Sequence, residues 1–150
     1  MSTPHGFFRS VFLFASAVLL GLILHLLAAS ALGWIQPVWW GGNALFIPVL
    51  FGVAFVIVGA MPLYVIAKKW IIKLAGTCSF QNTFVVGVLV GVSVLPLSDA
   101  LGVLLRPMQL WQSLNPWIAV ALTLLMAGVL GSLIAATLLA IFLRSRATLK

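Results

Sequence analysis

Four apolar runs, each long enough to cross a bilayer and nearly free of charge, constrain this chain more than any other feature. A helix needs about 20 predominantly apolar residues to span a hydrocarbon core of ~30 Å. The runs cover residues 10–33, 44–67, 83–105 and 117–143. None shows the strict apolar–polar alternation of a lipid-facing barrel strand. With 64% hydrophobic and 6% charged residues, the chain has too few charges to solvate a globular surface and too much apolar surface for disorder. The expected fold is an all-α, four-helix transmembrane bundle, up-down-up-down, forming one membrane domain over residues 1–150.

Local chemistry marks the helix starts. Asn43, Asn82 and Asn115 each precede a run, and an Asn side chain accepts from the orphan N–H groups of a first helical turn. Pro116 follows Asn115, and proline suits the first helical position because its N–H is not needed there. Thr3-Pro4 repeats that signature, so the first helix is expected to begin well before the hydrophobic run. Gly76 stands as a helix stop after the second.

Charge placement predicts the orientation. Arg9, Lys68, Lys69, Lys73, Arg144, Arg146 and Lys150 fall on one side of a chain that crosses four times, and Arg106 alone falls on the other. The positive-inside rule then puts both termini in the cytoplasm, and the compact chain without sorting signals leads to the expectation of a bacterial inner membrane. The net charge of +7, which on a water-facing surface suggests nucleic acid, is accounted for by that topology. Lys68, Lys69 and Lys73 are expected at the lipid surface, attracting anionic headgroups or snorkelling from a prolonged helix. Five of the six tryptophans, Trp34, Trp39, Trp40, Trp111 and Trp117, fall on the outer side. That is an aromatic belt, or else a Trp-lined binding surface. Arg9, the run after it and Ala29-Ser30-Ala31 also imitate a secretory signal, although the apolar stretch exceeds the usual 7–15 residues. Cys78 has no second cysteine to pair with and no metal-site companions.

Polar residues within the runs supply the functional candidates. Asp99 is the only acid in the chain, and an acid within a span is by default a candidate functional group. Counted at 1.5 Å per residue, Asp99, His25 and Thr123 lie roughly 9–12 Å below the outer ends of their helices, with Ser98 beside Asp99. Three readings stand open. Asp99 and His25 form a proton-coupled or cation site; Asp99 is held internally by Arg106, His25 or Thr123; or Asp99 pairs with a cation on another protein's helix. Pro96 interrupts the third span, freeing the Val92 carbonyl for Ser93 or Ser98 to satisfy.

Small residues predict where helices approach. Gly87, Gly91, Ser98 and Gly102 recur near one face of the third span, Ala127, Gly131 and Ala135 on the fourth, and Ala17 and Gly21 on the first. Asp99 falls at the edge of the third-span stripe, which predicts a buried carboxylate. No nucleotide loop, dinucleotide fingerprint, cysteine cluster or paired-histidine spacing occurs. His5 and His25 are about 30 Å apart along a helix, too far to share one haem iron. No cofactor or metal is expected, and no enzymatic activity. The leading functional expectation is a non-enzymatic accessory subunit of a larger membrane assembly, with lipid and a protein partner or second copy as its contacts. A small oligomeric proton-coupled transporter or channel using Asp99 and His25, taking an ion or small molecule, is one alternative. An immunity or exclusion protein is the other.

Overall fold

A computed structural model describes residues 4–32 and 46–148 of the chain. Helices α1 (Pro4–Ala31), α2 (Phe46–Ala75), α3 (Phe80–Leu105) and α5 (Pro116–Thr148) form a four-helix bundle, and the single turn α4 (Gln109–Gln112) lies in the last connection. All four long helices are apolar enough to cross a membrane. Trp34, Trp39, Trp40, Asn43, Thr3 and Lys150 lie outside the described residues.

The helices outrun the hydrophobic stretches that announced them. α1 begins at Pro4, well ahead of the apolar run. α2 continues past Ala67 through Lys68, Lys69 and Lys73 to Ala75. It stops at Gly76, which takes φ 77° and donates its N–H to the Ile72 carbonyl at 2.9 Å. Only glycine enters that left-handed region without steric cost. α3 starts earlier than Asn82 suggests: Ser79 is the cap, and its hydroxyl accepts from the Asn82 N–H at 3.2 Å. Serine caps as well as asparagine does, so the earlier residue takes the role. At α5 the expected cap is present, Asn115 Oδ1 accepting from the Trp117 N–H at 3.0 Å.

The pairings in the bundle only partly follow the sequence, and α2 and α3, consecutive in the chain, barely touch. α1 packs chiefly on α3, α3 on α5 and α5 on α2, with α1 and α2 closing the ring. The α1–α3 register is parallel. A Cβ added at Gly87 would meet Ala17 and Phe14, whereas one added at Gly91 would meet the Val18 oxygen, Gly21 and Leu22. A Cβ at Gly21 would in turn strike the Val88 carbonyl oxygen and stand 2.9 Å from Gly91 Cα. The two backbones therefore touch, which only paired small residues allow; in lipid, such dispersion contact replaces the hydrophobic force that holds helices together in water. Gly128 admits Phe55 and Leu63 of α2, and Gly131 admits Ser93 of α3. Gly102 differs from its stripe-mates, because nothing lies within 4 Å of a Cβ placed there. It shares the face of Gly91, eleven residues away and close to three full turns, but at its level α1 has reached its end.

The core runs through Phe14, Val18, Leu63, Tyr64, Ile71, Val86, Val90 and Val94. Phe7, Phe14 and Tyr64 meet in tilted ring contacts with centroids 5.8–5.9 Å apart. These ring contacts lie towards the end of the bundle that carries Arg9, Lys68, Lys73 and Arg144, here called the basic end.

Candidate functional site

The candidate polar layer occupies the opposite, far end of the bundle. Its residues stand in the far halves of their helices without forming a connected network. Thr123 is buried, and its hydroxyl donates to the Ala119 carbonyl one turn back at 2.6 Å. That is the usual way a threonine satisfies itself within a helix. His25 and Ser98 are half-buried. Asp99 is exposed on the side of α3, and none of the described residues forms an ion pair or hydrogen bond with it.

The exposure of Asp99 corrects the expectation of a carboxylate lying against the glycine stripe and buried there. The buried face of α3 is formed by Thr83, Val86, Gly87, Val90, Gly91 and Val94. Nine residues at about 100° each put Asp99 half a turn round from Val90. Glycines lie on both the centre and the flank of the packed face, so the small-residue pattern misplaces that face by a fraction of a turn. No described residue of α3 after Val94 is buried.

Internal pairing of Asp99 fails with each predicted partner. Arg106 is exposed and caps the end of α3, its N–H donating to the Gly102 carbonyl at 3.1 Å. Its own carbonyl accepts from Gln112 Nε2 at 3.1 Å, which ties the short α4 turn to the end of α3. Its guanidinium is not within ion-pair distance of Asp99. Around Pro96 the helix continues, and Ser93 donates to the Val90 carbonyl at 3.2 Å, not to the carbonyl that proline leaves free.

Two polar groups have no counterpart among the sequence candidates. Ser132 is fully buried, and its hydroxyl has no hydrogen-bond partner among the described residues. It follows Gly131 on the small-residue stripe of α5, so size alone accounts for a serine there. Trp70, the one described tryptophan at the basic end, donates its indole N–H to Thr137 Oγ1 at 3.0 Å, across the α2–α5 interface.

At the basic end the cations lie over aromatic rings. Arg9 is 5.6 Å from the Phe80 centroid, Lys68 5.7 Å from Tyr64, Lys73 5.1 Å from Trp70 and Arg146 4.6 Å from Phe142. Arg144 donates instead to the Leu74 carbonyl at the end of α2. Lys69 is exposed. Cys78 is half-buried in the α2–α3 turn, its sulfur 3.7 Å from the Thr83 hydroxyl. No cluster of three metal-ligating side chains occurs among the described residues.

The site thus consists of one exposed acid on an uncovered helix flank, and at the other end a ring of cations without a carboxylate. No protein family, curated protein or solved structure matches the chain.

Proposed function

We propose that this protein is a non-enzymatic accessory subunit of a larger membrane assembly, docked through the flank of α3 that carries Asp99. It spans a bacterial inner membrane with its basic end and both termini in the cytoplasm. The observation that carries the reading is the exposure of Asp99, the only acid of the chain, with no partner among the described residues. A carboxylate left against hydrocarbon costs about 2.5–3.5 kcal/mol at the centre of a span on insertion scales and less towards its ends, where Asp99 lies. A cationic or hydrogen-bonding side chain on a partner helix removes that cost. The uncovered surface around Asp99, including Val92 and Val103 on the same face of α3, offers such a helix an apolar contact on either side of the charge. The orientation is supported by the grouping of Arg9, Lys68, Lys73 and Arg144 at one end of the folded bundle.

The test compares wild type with Asp99→Asn after mild-detergent purification from native membranes, reading native mass and co-purifying proteins. A stoichiometric partner present with wild type and lost with the variant is the expected result. If both preparations migrate as the same small species with nothing attached, the accessory-subunit reading fails.

A further inference from the structure

On the outer surface of the α2–α5 interface, towards the basic end, lies an open groove of about 250 Å³ lined by Trp70, Leu133, Ile134, Thr137 and Leu138. Ile134 and Leu138 are both exposed, at 49% and 56%. The Trp70–Thr137 hydrogen bond holds the indole in place as one wall. Thr137 in turn donates to the Leu133 carbonyl at 2.7 Å, so neither polar group is left open to hydrocarbon.

Two cations crown this groove. Lys73 is one turn beyond Trp70 on α2, with its ammonium 5.1 Å from the indole centroid. Arg144 is seven residues beyond Thr137 on α5, two turns along the same face, and reaches over to the Leu74 carbonyl beside Lys73. The only acid of the chain is at the far end, so nothing anionic within the described residues neutralises the pair. An apolar trough that opens into a cationic crown at the hydrocarbon boundary has the polarity of a phospholipid with one chain in the trough and its phosphate at the crown.

We infer that the α2–α5 groove is a discrete site for one anionic diacyl phospholipid, with an acyl chain along Leu133, Ile134 and Leu138 and the phosphate between Lys73 and Arg144. Charge complementarity selects an anionic headgroup over a zwitterionic one. Because Lys68 sits over Tyr64 and Tyr64 packs on Phe7 and Phe14, that lysine belongs to the α1 side and takes no part. This separates a built site from a general basic surface. The inference depends on the bundle lying in a bilayer and not on Asp99, which is at the other end.

The test is native mass spectrometry of the full chain in detergent, titrated with phosphatidylglycerol and, separately, with phosphatidylcholine of the same acyl chains. Wild type should retain a single phosphatidylglycerol at roughly 25-fold lower lipid concentration than phosphatidylcholine, given two cations at the headgroup. Lys73→Gln and Arg144→Gln should each weaken that adduct about fivefold, the factor expected for one cation lost near an anionic headgroup. Lys68→Gln removes the same charge elsewhere and should leave the affinity unchanged. Leu138→Trp fills the groove, touches neither cation, and should abolish the adduct. That variant and Lys73→Gln keep the test valid if Arg144→Gln fails to fold through loss of the Leu74 contact. Equal binding of the two lipids overturns the inference. So does a loss with Lys68→Gln matching that with Lys73→Gln, or an adduct that survives Leu138→Trp. Asp99→Asn should bind lipid as wild type does, so this result and the partner result fail separately.

Discussion

Between Phe14 and Leu22, α1 lies in backbone contact with α3, and the buried positions of that stretch, Ala17, Val18 and Gly21 against Gly87, Val90 and Gly91, are glycine, alanine and valine. Beyond Val94 the same α3 has no buried described residue, and its surface presents Asp99, Val103 and Leu104. Both regions are helical and strongly apolar, so hydrophobicity does not separate them. The difference is the presence of facing small residues on two helices at one level. Gly21 and Gly91 meet each other, whereas Gly102 has no neighbour. In lipid an apolar side chain gains little by turning inward, and close backbone approach decides where helices adhere. The bundle is tight where two small stripes coincide and open where one stripe stands alone.

Substitutions at the two kinds of glycine test this contrast most severely. Gly91→Ala puts a methyl against the Val18 carbonyl oxygen, a backbone atom that moves only with its whole helix. The expected loss is about 1–3 kcal/mol, typical of an overpacked interior, read as a lower denaturation midpoint in detergent. An unchanged midpoint would mean that α1 and α3 do not touch. Ser79→Ala removes the hydroxyl that accepts from the Asn82 N–H at the start of α3 and should cost about 1 kcal/mol in the same assay. A greater loss on Asn82→Ala would return the cap to the asparagine. Thr137→Val breaks the Trp70 bond across α2 and α5. The expected cost is about 0.6 kcal/mol, the mean for such bonds between membrane helices, with altered tryptophan fluorescence as a second readout. Gly102→Ala should have the smallest effect and the opposite sign. With open space around it, the added methyl brings up to about 0.5–1 kcal/mol of helix preference and no clash. Destabilisation there would show that another surface covers that face of α3.

Several site features were legible in the residues because they depend on local chemistry. Asn115-Pro116 starts α5 and Gly76 ends α2, since capping and left-handed backbone are decided within one turn. The Gly87–Gly91 pair marks a real contact. The sequence does not separate Ser79 from Asn82 at the start of α3, because both can cap and the apolar run blurs its own beginning. The facing of Asp99 is not legible in the sequence for a different reason. On a helix apolar nearly all round, the buried side is a matter of which neighbour arrives, and glycine spacing locates it only to within a fraction of a turn. The Trp70–Thr137 bond joins residues sixty-seven positions apart, and nothing in either neighbourhood announces it.

The sequence by itself determined that this chain is helical, where its four membrane-length helices lie, how two of their ends are closed, and that its cations group at one end while its single acid stands apart. Those properties follow from hydropathy, backbone sterics and capping, each of which acts over a few residues. Only the tertiary structure decided that α1 adheres to α3 before α2, that Gly91 is filled by a neighbour and Gly102 is not, and that Asp99 faces outward. Helices that are apolar on every side carry no inside and outside of their own. Their partners are chosen by matching shape between segments far apart in the chain, a property of pairs of surfaces that neither segment contains alone.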